Sequence, residues 1–147
     1  MSGIGIPTSY SLKTFRRLKG PLIDIRSPKE FNQGHWPGAK NIPLFNDEER
    51  ALIGSLYKRK GRKNAVISAL KITSPKLEII KKRLEFEQSK STNSHLRIYC
   101  WRGGMRSMSI GWLANALGLS PVLLNGGYKT YRRWAINQFE KDWPLRL

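Results

Sequence analysis

An α/β fold with a central parallel sheet, covered by helices on both faces, is predicted by three observations. Short apolar runs alternate with amphipathic helix patterns along the chain. The runs are apolar throughout instead of alternating with polar residues, as strands buried on both faces are. Turn clusters rich in glycine and proline separate the elements. At 147 residues and 39% hydrophobic content the chain suits one domain with a real core. Residues 1–147 are read as that single domain, with its core at about 12–140.

The elements follow in order. Residues 12–19 read as a short helix with Ser11 as N-cap. Leu22-Ile23-Asp24-Ile25 is an apolar run between Gly20-Pro21 and Ser27-Pro28, and reads as a buried strand. Pro28 opens a short helix to Gln33, since proline suits the first turn. Residues 34–38 form a turn cluster, and 39–43 a brief strand. Residues 47–60 carry acids at the start and bases at the end, matching the helix dipole, and Gly61 breaks that helix. Residues 64–69 read as a further helical turn or two. Ser74-Pro75 opens a clearer helix at 76–88, with Leu77, Ile80 and Leu84 on one face. A polar loop at 89–94 leads to a strand at 96–99. Residues 107–117 read as a helix ended by Gly118. Residues 121–124 read as a strand, Gly126-Gly127 as a turn, and 128–141 as the final helix.

Chemistry concentrates in C-W-R-G-G-M-R-S, Cys100 to Ser107. This run holds the only cysteine, at the end of a strand and before a helix. Loop amides, a helix N-terminus and two arginines create a positive field that favours thiolate over thiol. The same loop suits an anion. Trp101, Arg102, Gly103, Gly104, Met105 and Arg106 are the anion-binding candidates. Arg106 is preferred over Arg102 because it ends the loop, and a structural ion pair for one of the two arginines is the alternative. A buried, inert cysteine is the alternative, but these neighbours do not make a core. Asp24, at another strand end, orients a ligand, caps the next turn or pairs with an arginine. His35 reads as a turn histidine bonded to backbone rather than a base.

Composition narrows the class. One cysteine excludes an intramolecular disulfide and any cysteine-cluster metal site, and a free thiol fits a reducing compartment. No metal ligand set is expected. The N-terminus shows no apolar leader segment, and no run approaches a membrane span, so a cytoplasmic protein without membrane contact is expected. The net charge of +17, from 27 Lys and Arg against 10 Asp and Glu, points to a polyanion. Basic clusters interleaved with aromatics suit phosphate contacts and base stacking. Lys58, Arg59 and Lys60 form one, and Lys129, Arg132 and Arg133 another. Lys81-Lys82-Arg83 is a third cluster, and each alone also reads as a solvated face.

These segments together resemble a rhodanese domain: L-I-D-I-R-S-P-K-E-F, G-H-W-P-G-A-K-N-I-P-L, I-Y-C-W-R-G-G-M-R-S and L-N-G-G-Y-K-T-Y-R-R. The segment D-E-E-R-A-L-I-G-S-L-Y-K-R-K-G and the cysteine loop resemble the rhodanese half of tRNA 2-selenouridine synthases. The resemblance covers about Pro21 to Arg133. It implies replacement of sulfur by selenium in wobble 2-thiouridine of tRNA, with selenophosphate as donor and an S-geranylated intermediate made from geranyl diphosphate. Cys100 matches the cysteine needed for selenation, and 102–106 match the loop expected to hold the donor. No tightly bound cofactor is implied. The family usually continues into a P-loop domain, and this sequence carries no G-x-x-x-x-G-K-[ST] motif. An isolated fragment, a truncated gene product and one half of a split enzyme with a separate P-loop partner are the alternatives. Geranyl diphosphate is expected only with the P-loop domain. Trp36 stands where rhodanese motifs often carry a smaller apolar residue. Three other functions compete, one of them a general sulfurtransferase of the rhodanese fold. Cys100, five residues, then Arg106 is also the spacing of cysteine-dependent phosphatases. A non-catalytic tRNA-binding module would use the basic clusters alone.

Overall fold

The computed structural model describes residues 5–142. Its elements are β1 (Thr8–Tyr10), α1 (Leu12–Arg17), β2 (Leu22–Asp24), α2 (Pro28–Gln33), β3 (Lys40–Asn41), α3 (Asp47–Thr73), α4 (Leu77–Ser89), β4 (Leu96–Tyr99), α5 (Met105–Ala116), β5 (Pro121–Leu124) and α6 (Gly127–Asp142). The strands form one sheet in the order β1-β5-β4-β2-β3, and every pairing is parallel. The expected architecture is therefore present. All strand C-termini lie along one edge, the position at which parallel sheets hold ligands.

Strand alternation splits the core between the two sheet faces. Ile23, Ile25, Leu96, Ile98, Cys100 and Leu123 pack with Ile80, Leu84, Ile110 and Ala114 from α4 and α5. Leu22, Tyr99, Val122 and Leu124 pack on the other face with Phe15 of α1 and Tyr128 of α6. Cys100 thus projects to the opposite side of the sheet from Tyr99.

Several helices begin on side-chain caps, of which the Ser11 cap was expected. Ser11 caps α1 through Thr14 N. Ser27 and Glu30 close a capping box on α2, and Asn46 and Glu49 close another on α3. Gly61 breaks the long helix as expected: its φ of 84° and ψ of 176° separate an arm at 47–60 from one at 62–73. The second arm is longer than the expected turn or two. A 3₁₀ turn, Ser74–Lys76, joins it to α4, and Lys76 Nζ pairs with Glu49 at the start of α3. The first strand is a further difference. Thr8–Tyr10 lies before the expected core and pairs β5 at the sheet edge, a short and mostly exposed segment without the apolar run that marks the others.

Asp24 is fully buried and engaged. Its Oδ1 accepts from the Arg26 amide at 2.9 Å and from Arg26 Nε at 3.0 Å, and its Oδ2 accepts from Nη2 at 2.7 Å. Arg26 also donates to Gly34 O at 2.7 Å and lies 4.2 Å above the Tyr128 ring. Of the readings open for Asp24, pairing with an arginine is the one the structure shows, and the alternative of orienting a ligand is not supported. The carboxylate belongs to the Tyr99 side of the sheet and is saturated by Arg26. Asp24→Ala is expected to cost about 3–5 kcal/mol in urea unfolding, because it strands a buried guanidinium.

Candidate active site

Cys100 follows β4 directly and is only 3% exposed. Its Sγ donates to Ser107 Oγ at 3.2 Å, and Ser107 Oγ donates to Gly104 O at 3.2 Å. Ser107 is itself buried and was not among the sequence-derived site residues. Its place seven residues after the cysteine, one turn into a helix, is the signal that marks it.

The helix starts earlier than the sequence pattern suggests. α5 begins at Met105, with Gly104 as N-cap and no side-chain cap. The loop proper is therefore Trp101 to Gly104, and Met105 and Arg106 lie in the first helical turn. That turn has unpaired amide donors and the positive end of a helix dipole. Among the described residues, no hydrogen bond takes the amides of Arg102, Gly103 or Gly104. These donors, beside a buried sulfur, can hold an oxyanion.

The far side of the loop rests on α6. Tyr128 N donates to Cys100 O at 2.7 Å, and Lys129 N donates to Trp101 O at 3.0 Å. Gly127 makes this approach possible. Its φ is 59°, and a Cβ there would stand 2.4 Å from Cys100 O and 2.7 Å from Gly103 N.

The two loop arginines have different roles, and the preference for Arg106 is corrected. Arg106 is mostly buried and donates to Glu30 Oε1 at 2.7 Å and Oε2 at 3.2 Å. The pair ties α5 to α2. Burial alone raises the Glu30 carboxyl, but Arg106 and the Ser27 hydrogen bonds outweigh it and hold it at about 2. Arg102 is exposed and enters no ion pair among the described residues. It is the guanidinium available to an anion.

Cys100 floors a groove of about 1250 Å³ between α3 and α5. Its walls are largely apolar, from Phe45, Ile53, Tyr57, Leu70, Trp112 and Leu113. Arg50, Lys58, Arg59, Arg62 and Arg102 stud the walls. A second, smaller cavity lies beside the loop on α6, with Lys129, Arg132 and Arg133 in its lining. Trp101 lines both spaces. The structure thus brings Cys100, Trp101, Arg102, Gly104, Met105, Arg106, Lys58 and Arg59 onto one groove. Lys60 is exposed but does not line it. His35 behaves as expected: its Nδ1 is 2.8 Å from Phe31 O, and its ring stacks on Phe31 at 3.6 Å. Among the described residues there is no cluster of His, Cys, Asp or Glu able to hold a metal ion. No helix among them is long and apolar enough to cross a membrane.

A family model described as a rhodanese-like domain matches residues 11–133. The chain belongs to the rhodanese-like family. This rhodanese-like chain is 43% identical over 137 residues to a tRNA 2-selenouridine synthase of Hydrogenovibrio crunogenus, covering 92% of this chain and 37% of that protein. It is 40% identical over 126 residues to that of Nitrosomonas europaea, covering 82% of this chain and 31% of that protein. It therefore spans about a third of the length of the curated relatives it matches. Among solved structures, it is similar to the N-terminal domain of a putative ATP/GTP binding protein from Clostridium difficile 630. The TM-score is 0.79 and the identity 31%, over 88% of this chain and 99% of that one. A rhodanese-related protein from Thermoplasma volcanium shares the fold, at a TM-score of 0.51 and 19% identity, over 86% of this chain and 92% of that one.

Two outcomes are expected from this geometry. Glu30 is held below the ordinary glutamate value of 4.5, so its contribution is complete above that pH and fades as pH falls toward 2. Glu30→Gln should lower stability at neutral pH by up to ~3 kcal/mol and flatten the acid limb of a stability–pH curve from urea titrations. Gly127→Ala should lift the loop from α6. Faster labelling of the otherwise buried Cys100 by a thiol reagent in the folded protein would register the displacement.

Proposed function

We propose that this domain carries the chalcogen-exchange step by which selenium replaces sulfur in wobble 2-thiouridine of tRNA, with Cys100 as nucleophile and selenophosphate as donor. The observation that carries the reading is the sole thiol at the end of a central strand, beside an uncapped helix N-terminus and free loop amides. A thiolate in that field attacks the phosphorus of selenophosphate: the S–P bond forms and the P–Se bond breaks. Selenide leaves to displace the sulfur substituent at C2 of the uridine, with no oxidant needed. Water later frees the group from Sγ as phosphate, and its oxygens need hydrogen-bond donors throughout. The amides of Arg102, Gly103 and Gly104, with the Arg102 guanidinium, are assigned to that phosphate. The names of the relatives support the substrate class, and the fold supports sulfur or selenium transfer as the kind of chemistry. The excess of positive charge supports tRNA as the partner, with Lys58, Arg59, Lys60, Lys129, Arg132 and Arg133 as its contacts.

Geranyl diphosphate and a P-loop domain are assigned to the two-thirds of the relatives that this chain does not span. A phosphatase reading draws less support from the geometry. The arginine at the matching spacing, Arg106, is engaged by Glu30 and lies mostly buried, so it does not fork onto a substrate phosphate.

The test combines thiolated tRNA, selenophosphate, this protein and the P-loop portion of a relative, followed by mass analysis of the nucleosides. Selenouridine is expected with the native chain and absent with Cys100→Ser. Undiminished selenouridine in that variant rejects Cys100 as nucleophile.

A further inference from the structure

We propose that the small cavity on α6 is a nucleotide pocket, in which an unstacked base of single-stranded RNA lies against the Trp101 ring and its flanking phosphates sit on Lys129, Arg132 and Arg133. The inference deepens the tRNA reading above and rests on it for the class of polymer.

The cavity measures about 210 Å³, the scale of one base with its sugar and not of a folded strand. Five of its six lining residues come from one helix at helical spacing: Lys129, Arg132, Arg133, Ile136 and Asn137. Steps of three and four place them in a single stripe along α6. The sixth is Trp101, across the end of the stripe. This composition separates the site from a plain phosphate cradle. A bare anion has no use for an indole or for the partly exposed Ile136, which is 42% accessible. A planar base does, and the Asn137 amide offers both a donor and an acceptor to its edge.

The three cations are free for a ligand. None of the ion pairs among the described residues includes Lys129, Arg132 or Arg133. Their helix also holds a fixed relation to the indole. The Lys129 amide bonds the Trp101 carbonyl at 3.0 Å, and the Tyr128 ring backs the indole at 6.0 Å between centroids. The backbone that carries the ring and the start of the helix that carries the cations are therefore held against each other, while the three cationic side chains themselves are exposed. Trp101 also lines the Cys100 groove, next in sequence to the nucleophile. A base held on this ring lies beside the nucleotide offered to the sulfur. The pocket acts as a positioning site for the strand.

The experiment measures binding of fluorescein-labelled hexauridylate to the Cys100→Ser chain by anisotropy, so that affinity is read apart from chemistry. Trp101→Ala and Trp101→Leu should each weaken binding about tenfold, while Trp101→Phe keeps most of it, because stacking needs a ring face. Arg132→Gln combined with Arg133→Gln should make the plot of log affinity against log salt shallower by about 1.4, roughly 0.7 for each phosphate left without its arginine. An abasic hexamer with the same phosphates should bind more weakly than hexauridylate and ignore the Trp101 variants. Equal binding of the abasic oligomer, native affinity in Trp101→Leu, or a hexaglutamate peptide bound with the same dependence on the ring would each overturn the pocket. Ring-dependent RNA binding without selenouridine formation rejects the function above and leaves the pocket standing. Selenouridine formation with ring-independent binding does the reverse.

Discussion

The packing of backbone on backbone between the cysteine loop and the first turn of α6 governs the rest of the site. The Cys100 and Trp101 carbonyls are held by the amides of Tyr128 and Lys129. In a trans peptide the C=O and the next N–H point in opposite directions. Fixing those two carbonyls on α6 therefore turns the Trp101 and Arg102 amides away from it. One pair of hydrogen bonds thus sets the direction of the donor array, the height of the indole and the start of the basic helix. A glycine at 127 is the condition, since any side chain would crowd the carbonyl that the chain must approach.

Charge is sorted by the same architecture. Two interior guanidinium groups are held by carboxylates: Arg26 by Asp24 on one face of the sheet, and Arg106 by Glu30 across α5 and α2, with Arg50 also 3.7 Å from Glu30. These pairs fix geometry, and they withdraw two acids from the surface. The cations that remain outside, Arg102 on the loop, Lys58 and Arg59 on α3, and the α6 stripe, flank the cysteine from two directions. The result is a buried thiol between two positive surfaces, one apolar in its walls and one aromatic. Surface charges of this kind attract a polyanion at long range and lose their reach as salt rises.

Much of this was legible in the sequence, for identifiable reasons. Strands 22–24, 96–99 and 121–124 are short runs dominated by apolar residues, each interrupted by at most one charged side chain, so composition marks them. Ser11, Pro28 and Gly61 carry local backbone chemistry that acts over a few residues. The cysteine loop is legible because a thiol among glycines and arginines has no place in a core. What escaped depends on the third dimension. Thr8–Tyr10 is a strand only because β5 has a free edge. Whether Asp24 faces Cys100 is decided by register and alternation across two strands far apart in sequence. The partner of Arg106 is 76 residues away, so spacing within the loop favoured the wrong arginine. The double position of Trp101 is set by α6, which no pattern around residue 100 announces.

The alternation of β4 has a consequence for how chains of this kind can vary in length. Successive side chains of a strand face opposite ways. Loss or gain of one residue between Leu96 and Cys100 would deliver the thiol to the Arg26 and Tyr99 side and place a tyrosine over the groove. The polar stretch at 89–94, just upstream, has no such parity to keep. Tolerance to insertion should thus change abruptly within a few residues, from a loop whose length is free to a strand whose residue count decides which side of the sheet carries the sulfur.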